Sequence, residues 1–232
     1  YRLAFVLPTG QSQFLASLED AVGEAGRGLR AARNDLQTIR VPVDDPVGVR
    51  RAFERLISQG VDGVAIMANA TPMVRDMITR LKVQGVAVAA LVTDQPNTER
   101  DHFVGSDNVA AGRTAGAVMG RFLARRAGAL LVVVNSTQAR VMVERRVWFD
   151  EVIARDCPAL RALPSLEGHD DFEETYRIVS QALKDRDDIV GVYSGGAGLR
   201  GVTRAIEESA GRDLAVIGHE LTAHSRQALE DG

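Results

Sequence analysis

Val86-Ala87-Val88-Ala89-Ala90-Leu91-Val92 is apolar at every position. A strand with one face in water alternates polar with apolar residues. A strand apolar throughout is the kind that helices cover on both sides of a parallel sheet. Working backward, Gly85 closes a stretch in which Val74, Met77, Ile78 and Leu81 recur at helical spacing. That stretch opens at Thr71-Pro72, a hydroxyl cap with proline in the first turn. Val61 to Met67 is the third strand. Before it, Asp45-Pro46 starts a helix whose apolar face is Val49, Phe53, Leu56 and Ile57, ended by Gly60. Arg2 to Leu7 (RLAFVL), a helix over Gln13 to Gly26 with Phe14, Leu18 and Val22 on one face, and a strand over Leu36 to Val41 complete the set. Strands alternating with helices at this spacing are βαβ units.

The pattern then restarts. Helices are predicted over Asp107–Arg125, Gln138–Arg155, Asp170–Leu183, Ala197–Ser209 and Leu221–Glu230, and strands over Ala129–Val134, Ile189–Tyr193 and Leu214–Gly218. The expected fold class is therefore α/β, with two Rossmann-like lobes of parallel sheet flanked by helices and joined by a hinge. The N-terminal lobe is expected over residues 1–105 and the C-terminal lobe over 106–232. No repeat, low-complexity tract or flexible linker separates them, so the two lobes are expected to work together.

Composition narrows the function classes. Of 232 residues, 45% are hydrophobic and 25% charged, which excludes disorder and fibrous repeats. Lys+Arg is 28 against Asp+Glu 31, a net charge of −3. A surface that grips DNA by its phosphates is normally basic, so this segment is a poor direct DNA binder. Only Lys82 and Lys184 are lysines, an arginine bias read as genome composition. No apolar run approaches the roughly 18 residues of a membrane helix, so no membrane partner is expected. The chain opens directly on a strand, and the expectation is that something N-terminal to Tyr1 has been removed. Cys157 is alone, so neither a disulfide framework nor a thiol metal cluster is expected.

Three motifs invite enzymatic readings. Gly196-Ala197-Gly198-Leu199-Arg200-Gly201 matches the dinucleotide pattern GxGxxG between a strand and a helix, with Glu220 placed 19 positions beyond Gly201. Only 12 residues follow Glu220, too few for the rest of a dinucleotide fold, and the first lobe lacks the motif. A glycine-rich turn where a ligand approaches the backbone is the alternative. His219 and His224 are five apart, whereas a zinc-binding helix needs four. No nucleophile stands beside a base, and no GxSxG elbow occurs. No catalytic residue, metal or cofactor is expected.

Polar residues remain at the C-terminal ends of predicted strands, the edge that faces the ligand crevice in open α/β sheets. They are Gln11, Ser12 and Gln13 after the first strand, Asp94 after the fourth, and Glu220 after Leu214–Gly218. Carboxylates, amides and arginine form paired hydrogen bonds with vicinal hydroxyls, the chemistry of a sugar or polyol pocket.

Phe103-Val104-Gly105-Ser106-Asp107-Asn108, followed by Ala111-Gly112 and Ala115-Gly116, resembles the lobe-crossing segment of type I periplasmic-binding-protein folds. The nearest resemblance is to the effector domain of LacI/GalR-family transcriptional regulators. Three further stretches support it: RLAFVLP at the start, Ser58-Gln59-Gly60-Val61-Asp62-Gly63-Val64, and Ala215 to Thr222 (AVIGHELT). Together these span essentially the whole chain.

The resemblance implies ligand contacts at Ser12 and Phe14 after the first strand, Asp94 after the fourth, Arg145 from the second lobe, and Glu220. Trp148 stands where relatives carry glycine, which brings it toward the pocket, and Gly195-Gly196 replaces the usual Asn-Asp. Each position also has a plain structural reading. Phe14 and Trp148 can be packing residues, Arg145 a solvated helix residue, and Asp94 a turn cap. The resemblance further implies a C-terminal return segment beyond Gly232 and a DNA-reading helix-turn-helix before Tyr1. The expected role is that of a cytoplasmic, homodimeric sensor in which a small sugar or polyol closes the hinge and controls operator DNA binding. A periplasmic sugar-binding protein of a transporter is the alternative on the same fold, and an NAD-dependent enzyme is a second.

Overall fold

The computed structural model describes residues 1–10, 12–31, 33–42, 45–196, 198–209 and 211–231. The chain divides into two compact units, Tyr1–Ser106 and Asp107–Gly232. In the first, β1 (Arg2–Pro8), β2 (Asp35–Val41), β3 (Gly63–Ile66), β4 (Ala87–Leu91) and β5 (His102–Val104) form a parallel sheet in the order β2-β1-β3-β4-β5. The helices between them are α1 (Gln13–Ala31), α2 (Pro46–Gln59) and α3 (Pro72–Val83). Two of the expected caps form as read. The Asp45 carboxylate accepts from Gly48 N–H at 2.8 Å, and the Thr71 hydroxyl accepts from Val74 N–H at 3.2 Å. Gly60 ends α2 in the left-handed conformation.

Phe53, Leu56, Ile78 and Leu81 on α2 and α3 pack against Ala4, Val6, Val64, Ile66 and Val88 on one face of this sheet. The other face is less closed at β4, where Ala87 is exposed and Ala89 and Leu91 are half-buried. The reason is topological: α1 lies over β2, at the far side of the sheet from β4.

The second unit carries the strand covered on both faces. It runs α4 (Asn108–Phe122), β6 (Gly128–Val134), α5 (Arg140–Asp156), β7 (Leu160–Glu167), α6 (Phe172–Asp185), β8 (Ile189–Ser194), α7 (Leu199–Glu207), β9 (Ala215–Ile217) and α8 (Ala223–Asp231). Its sheet is parallel in the order β7-β6-β8-β9. Successive side chains of a strand point to opposite faces. Leu130, Val132 and Val134 of β6 join Met119 and Phe149 of α4 and α5. Ala129, Leu131 and Val133 join Val179 and Leu183 of α6 and Val202 of α7 on the other side. That arrangement is the helix–sheet–helix sandwich the sequence pattern implies.

Two strands escape the sequence pattern. β5 is three residues long and borders β4 only. β7 contains Pro164, which argues against a strand by removing a ladder donor. The proline is accommodated because β7 is an edge strand and the register slips there: Leu130 pairs with Ala162 but Val132 with Ser165, leaving an extra residue on β7.

Candidate functional site

The C-terminal ends of β6, β7, β8 and β9 bring Asn135, Asp170, Gly195 and His219-Glu220 to one edge of the second sheet. Arg145 reaches this edge from α5. Its Nε donates to Asn108 Oδ1 at 3.0 Å, and its Nη1 donates to the Gly195 carbonyl at 2.7 Å. Helix packing sets its position. A methyl group on Gly112 would collide with the carbonyl of Arg145, and one on Gly116 would lie 2.9 Å from Val152 Cβ. Only glycine at both positions lets α4 and α5 approach this closely.

Beside Arg145, Tyr193 stacks on Phe149 with ring centroids 4.2 Å apart, and its hydroxyl meets His219 Nε2 at 2.8 Å. Tyr193 is fully buried, and burial raises its phenol. Burial, then the nearby Arg145 charge, pushes His219 down to about 4, so its ring is neutral at neutral pH. Burial also pushes the Arg145 guanidinium below its ordinary value, countered by Tyr193 and Glu220. Glu220 is half-buried and accepts no hydrogen bond on its carboxylate from the described residues. Burial and the negative charge of Asp170 raise it, and Arg145 opposes them. Asp170 accepts from Asn135 Nδ2 at 3.4 Å. A cationic donor, a carboxylate acceptor and a neutral imidazole thus share one edge.

In the first unit, Asp94 forms a two-pronged ion pair with Arg100, at 2.5 Å to Nε and 2.8 Å to Nη2. The chain reaches Asp94 through a three-residue turn in which Thr93 N–H bonds the Leu91 carbonyl and Val92 takes φ 62°. A left-handed β-branched residue is strained, costing about 1–3 kcal/mol, and it lies two residues before that carboxylate. Ser12 precedes α1, and its hydroxyl accepts from Leu15 N–H at 3.3 Å, a capping contact. Phe14 is half-buried in the first turn of α1. Gln11 lies outside the described residues.

Trp148 on α5 carries the Arg113 guanidinium 4.0 Å above its ring. The GxGxxG segment serves packing where it is described: Gly198 takes φ 104° before α7, and a methyl on Gly201 would lie 2.8 Å from backbone atoms of α6. Ala197 lies outside the described residues. His219 pairs with Tyr193, whereas His224 pairs with Thr203, so the two histidines do not converge. Among the described residues, no group of three or more His, Cys, Asp or Glu is placed to hold a metal. The structure therefore brings Arg145 and Glu220 together and adds Asn108, Tyr193, His219 and Asp170 to them. Of these additions, sequence offered a signal for two. Asn108 stood in the quoted crossing segment, and His219 directly precedes Glu220.

Residues 3–232 match the sequence profile of a family described as a periplasmic binding protein domain. Among curated proteins, none matches the chain. An ABC-transporter solute-binding protein from Burkholderia graminis C4D1M in complex with D-arabinose superposes with a TM-score of 0.87 at 22% identity, over 99% of this chain and 80% of that one. One from Mycobacterium smegmatis with bound glycerol gives 0.86 at 20%, over 100% and 78%. One from Actinobacillus succinogenes 130z with bound D-allose gives 0.85 at 14%, over 100% and 82%. At such identities the likeness is one of fold.

These findings overturn the resemblance to LacI/GalR regulators. The segment that carried it reports packing. Asp107 caps α4 by accepting from Ala110 N–H, Asn108 lies under Arg145, and Gly112 and Gly116 admit α5. Such contacts belong to a fold and do not specify a role. The regulator function, the homodimer, operator DNA read through an N-terminal helix-turn-helix and the cytoplasmic location all rested on that resemblance. All are withdrawn in favour of the periplasmic binding protein profile and its transporter neighbours. The NAD-dependent enzyme gives way too, because the matched family and neighbours are binding proteins, not catalysts.

Proposed function

Because the chain belongs to the periplasmic binding protein domain family, we propose that it binds a small sugar or polyol in the periplasm and delivers it, chemically unchanged, to an ABC-type transporter. The observation that carries this reading is that Arg145, anchored by Asn108 and Gly195, shares a sheet edge with the Glu220 carboxylate, which accepts no hydrogen bond from the described residues. A guanidinium donates and a carboxylate accepts, so together they fit the donor–acceptor pairs of adjacent hydroxyls. The solved neighbours hold D-arabinose, glycerol and D-allose, which share that feature.

Titration calorimetry of the protein against pentoses, hexoses and polyols tests it. At least one is expected to bind and to be recovered intact. R145M and E220Q each leave a hydroxyl without its charged partner, a loss of about 1.5–3 kcal/mol, or roughly ten- to hundredfold in Kd. Acidification through the raised Glu220 pKa weakens binding more in the wild type than in E220Q. Absence of binding across the panel, or affinity indifferent to both R145M and E220Q, overturns the reading.

A further inference from the structure

The guanidinium of Arg145 ends a long, rotamer-rich side chain, and such a group binds well only if it is held in place beforehand. Its holder is on α4. Asn108 is 6% exposed, at the first position of the helix. Its Oδ1 accepts from Arg145 Nε at 3.0 Å, and its Nδ2 donates to Glu144 Oε2 at 3.4 Å. Glu144 is in turn paired with Arg140 at 2.7 Å. The amide can sit only one way round, because a guanidinium only donates and a carboxylate only accepts. Gly112 lies four residues on, on the same face of α4. One turn of α4 thus receives both parts of Arg145: Gly112 makes room for its backbone and Asn108 takes its side chain.

We propose that Asn108 is a positioning residue for Arg145. Together with the Gly195 carbonyl, it occupies Nε and Nη1 and leaves Nη2 as the end of the guanidinium presented to a bound molecule. The binding consequence rests on the sugar-binding reading above. The positioning itself does not.

The test has two independent arms on the full chain. In the first, ¹⁵N NMR follows the Arg145 Nε–H of the ligand-free protein, assigned by its loss in R145M. It is expected to exchange with water at least tenfold more slowly than the exposed arginines. N108L abolishes that protection. The double variant N108D/E144Q restores it, because the new carboxylate accepts from Nε while the Gln amide donates to its second oxygen. In the second arm, N108L weakens the best-binding sugar by about tenfold and N108D/E144Q recovers most of the loss. In the R145M background, N108L weakens binding no further. A structural role alone would make the two losses add.

Rapid exchange of Arg145 Nε–H in the wild type, or exchange in N108D/E144Q as fast as that of the exposed arginines, overturns the proposal without requiring N108L to fold. So does a full additional loss from N108L in the R145M background. If the wild type binds no sugar, the sugar reading fails while the NMR arm still decides the positioning.

Discussion

His219 shows how burial converts an ordinary side chain into a pH-dependent element of stability. Its ring meets the Tyr193 hydroxyl and is pushed down to about 4, by burial first and the Arg145 charge second. In the unfolded chain a histidine takes up its proton near pH 6.5. The depressed folded value means that the contribution is complete above pH 6.5 and is lost as pH falls toward 4. Allowing for partial exposure, it is on the order of 2 kcal/mol. Urea unfolding at pH 7 and pH 4.5 is expected to show a smaller difference in H219Q than in the wild type, since Gln can still bond Tyr193 but does not titrate. At this scale the sequence exposes residue types but not partners. A carboxylate after a strand was readable at Asp94, whereas its two-pronged pairing with Arg100 was not. Nor was the Arg113 guanidinium that lies over the Trp148 ring.

At the scale of elements, local chemistry was readable wherever one residue acts on its own helix. Asp45 and Thr71 cap where the sequence placed them, and in the structure Asp107 caps α4 by the same short-range chemistry. What depends on a second element was hidden. Gly112 resembled a family marker, but its physical role is to admit the carbonyl of Arg145. G112A is expected to cost about 1–3 kcal/mol by overpacking and to weaken sugar binding as α5 shifts, read by thermal melting and calorimetry together. Arg212 is the clearest case the sequence could not show. Its Nη1 donates to the carbonyls of Leu183 and Arg186 at 2.7 and 3.0 Å, and its Nη2 to those of Asp187 and Ile189 at 3.1 and 2.9 Å. It therefore closes the end of α6 and the entry to β8. R212A is expected to destabilise the protein by about 2–3 kcal/mol and to speed hydrogen exchange at the start of β8 first. β7 was missed because its proline reads as a breaker until the bulge and edge position are seen.

For the whole molecule, the hydrophobic clusters are each confined to one unit. Phe53 is fully buried among α2, α3 and the first sheet, and Phe149 among α4, α5 and the second. Truncating either costs about 3–5 kcal/mol through the cavity it leaves. Native-state hydrogen exchange is expected to quicken in β1, β3 and β4 for F53A, and in β6 and β8 for F149A. Uniform acceleration in either variant would contradict separate cores. The alternation of strands and helices and the caps at Asp45 and Thr71 follow from periodicity and short-range hydrogen bonding, so the chain's own residues determined them. Role did not follow, because the stretches that resembled a regulator are the ones that build the fold, and one fold serves several roles. Only the folded chain decided that Arg145, Asn108, Gly195 and Glu220 meet. They are separated in sequence by up to 112 positions and are brought to one edge by strand order and by helix packing too close for any side chain at Gly112. Such proximity depends on three-dimensional packing that no local pattern encodes.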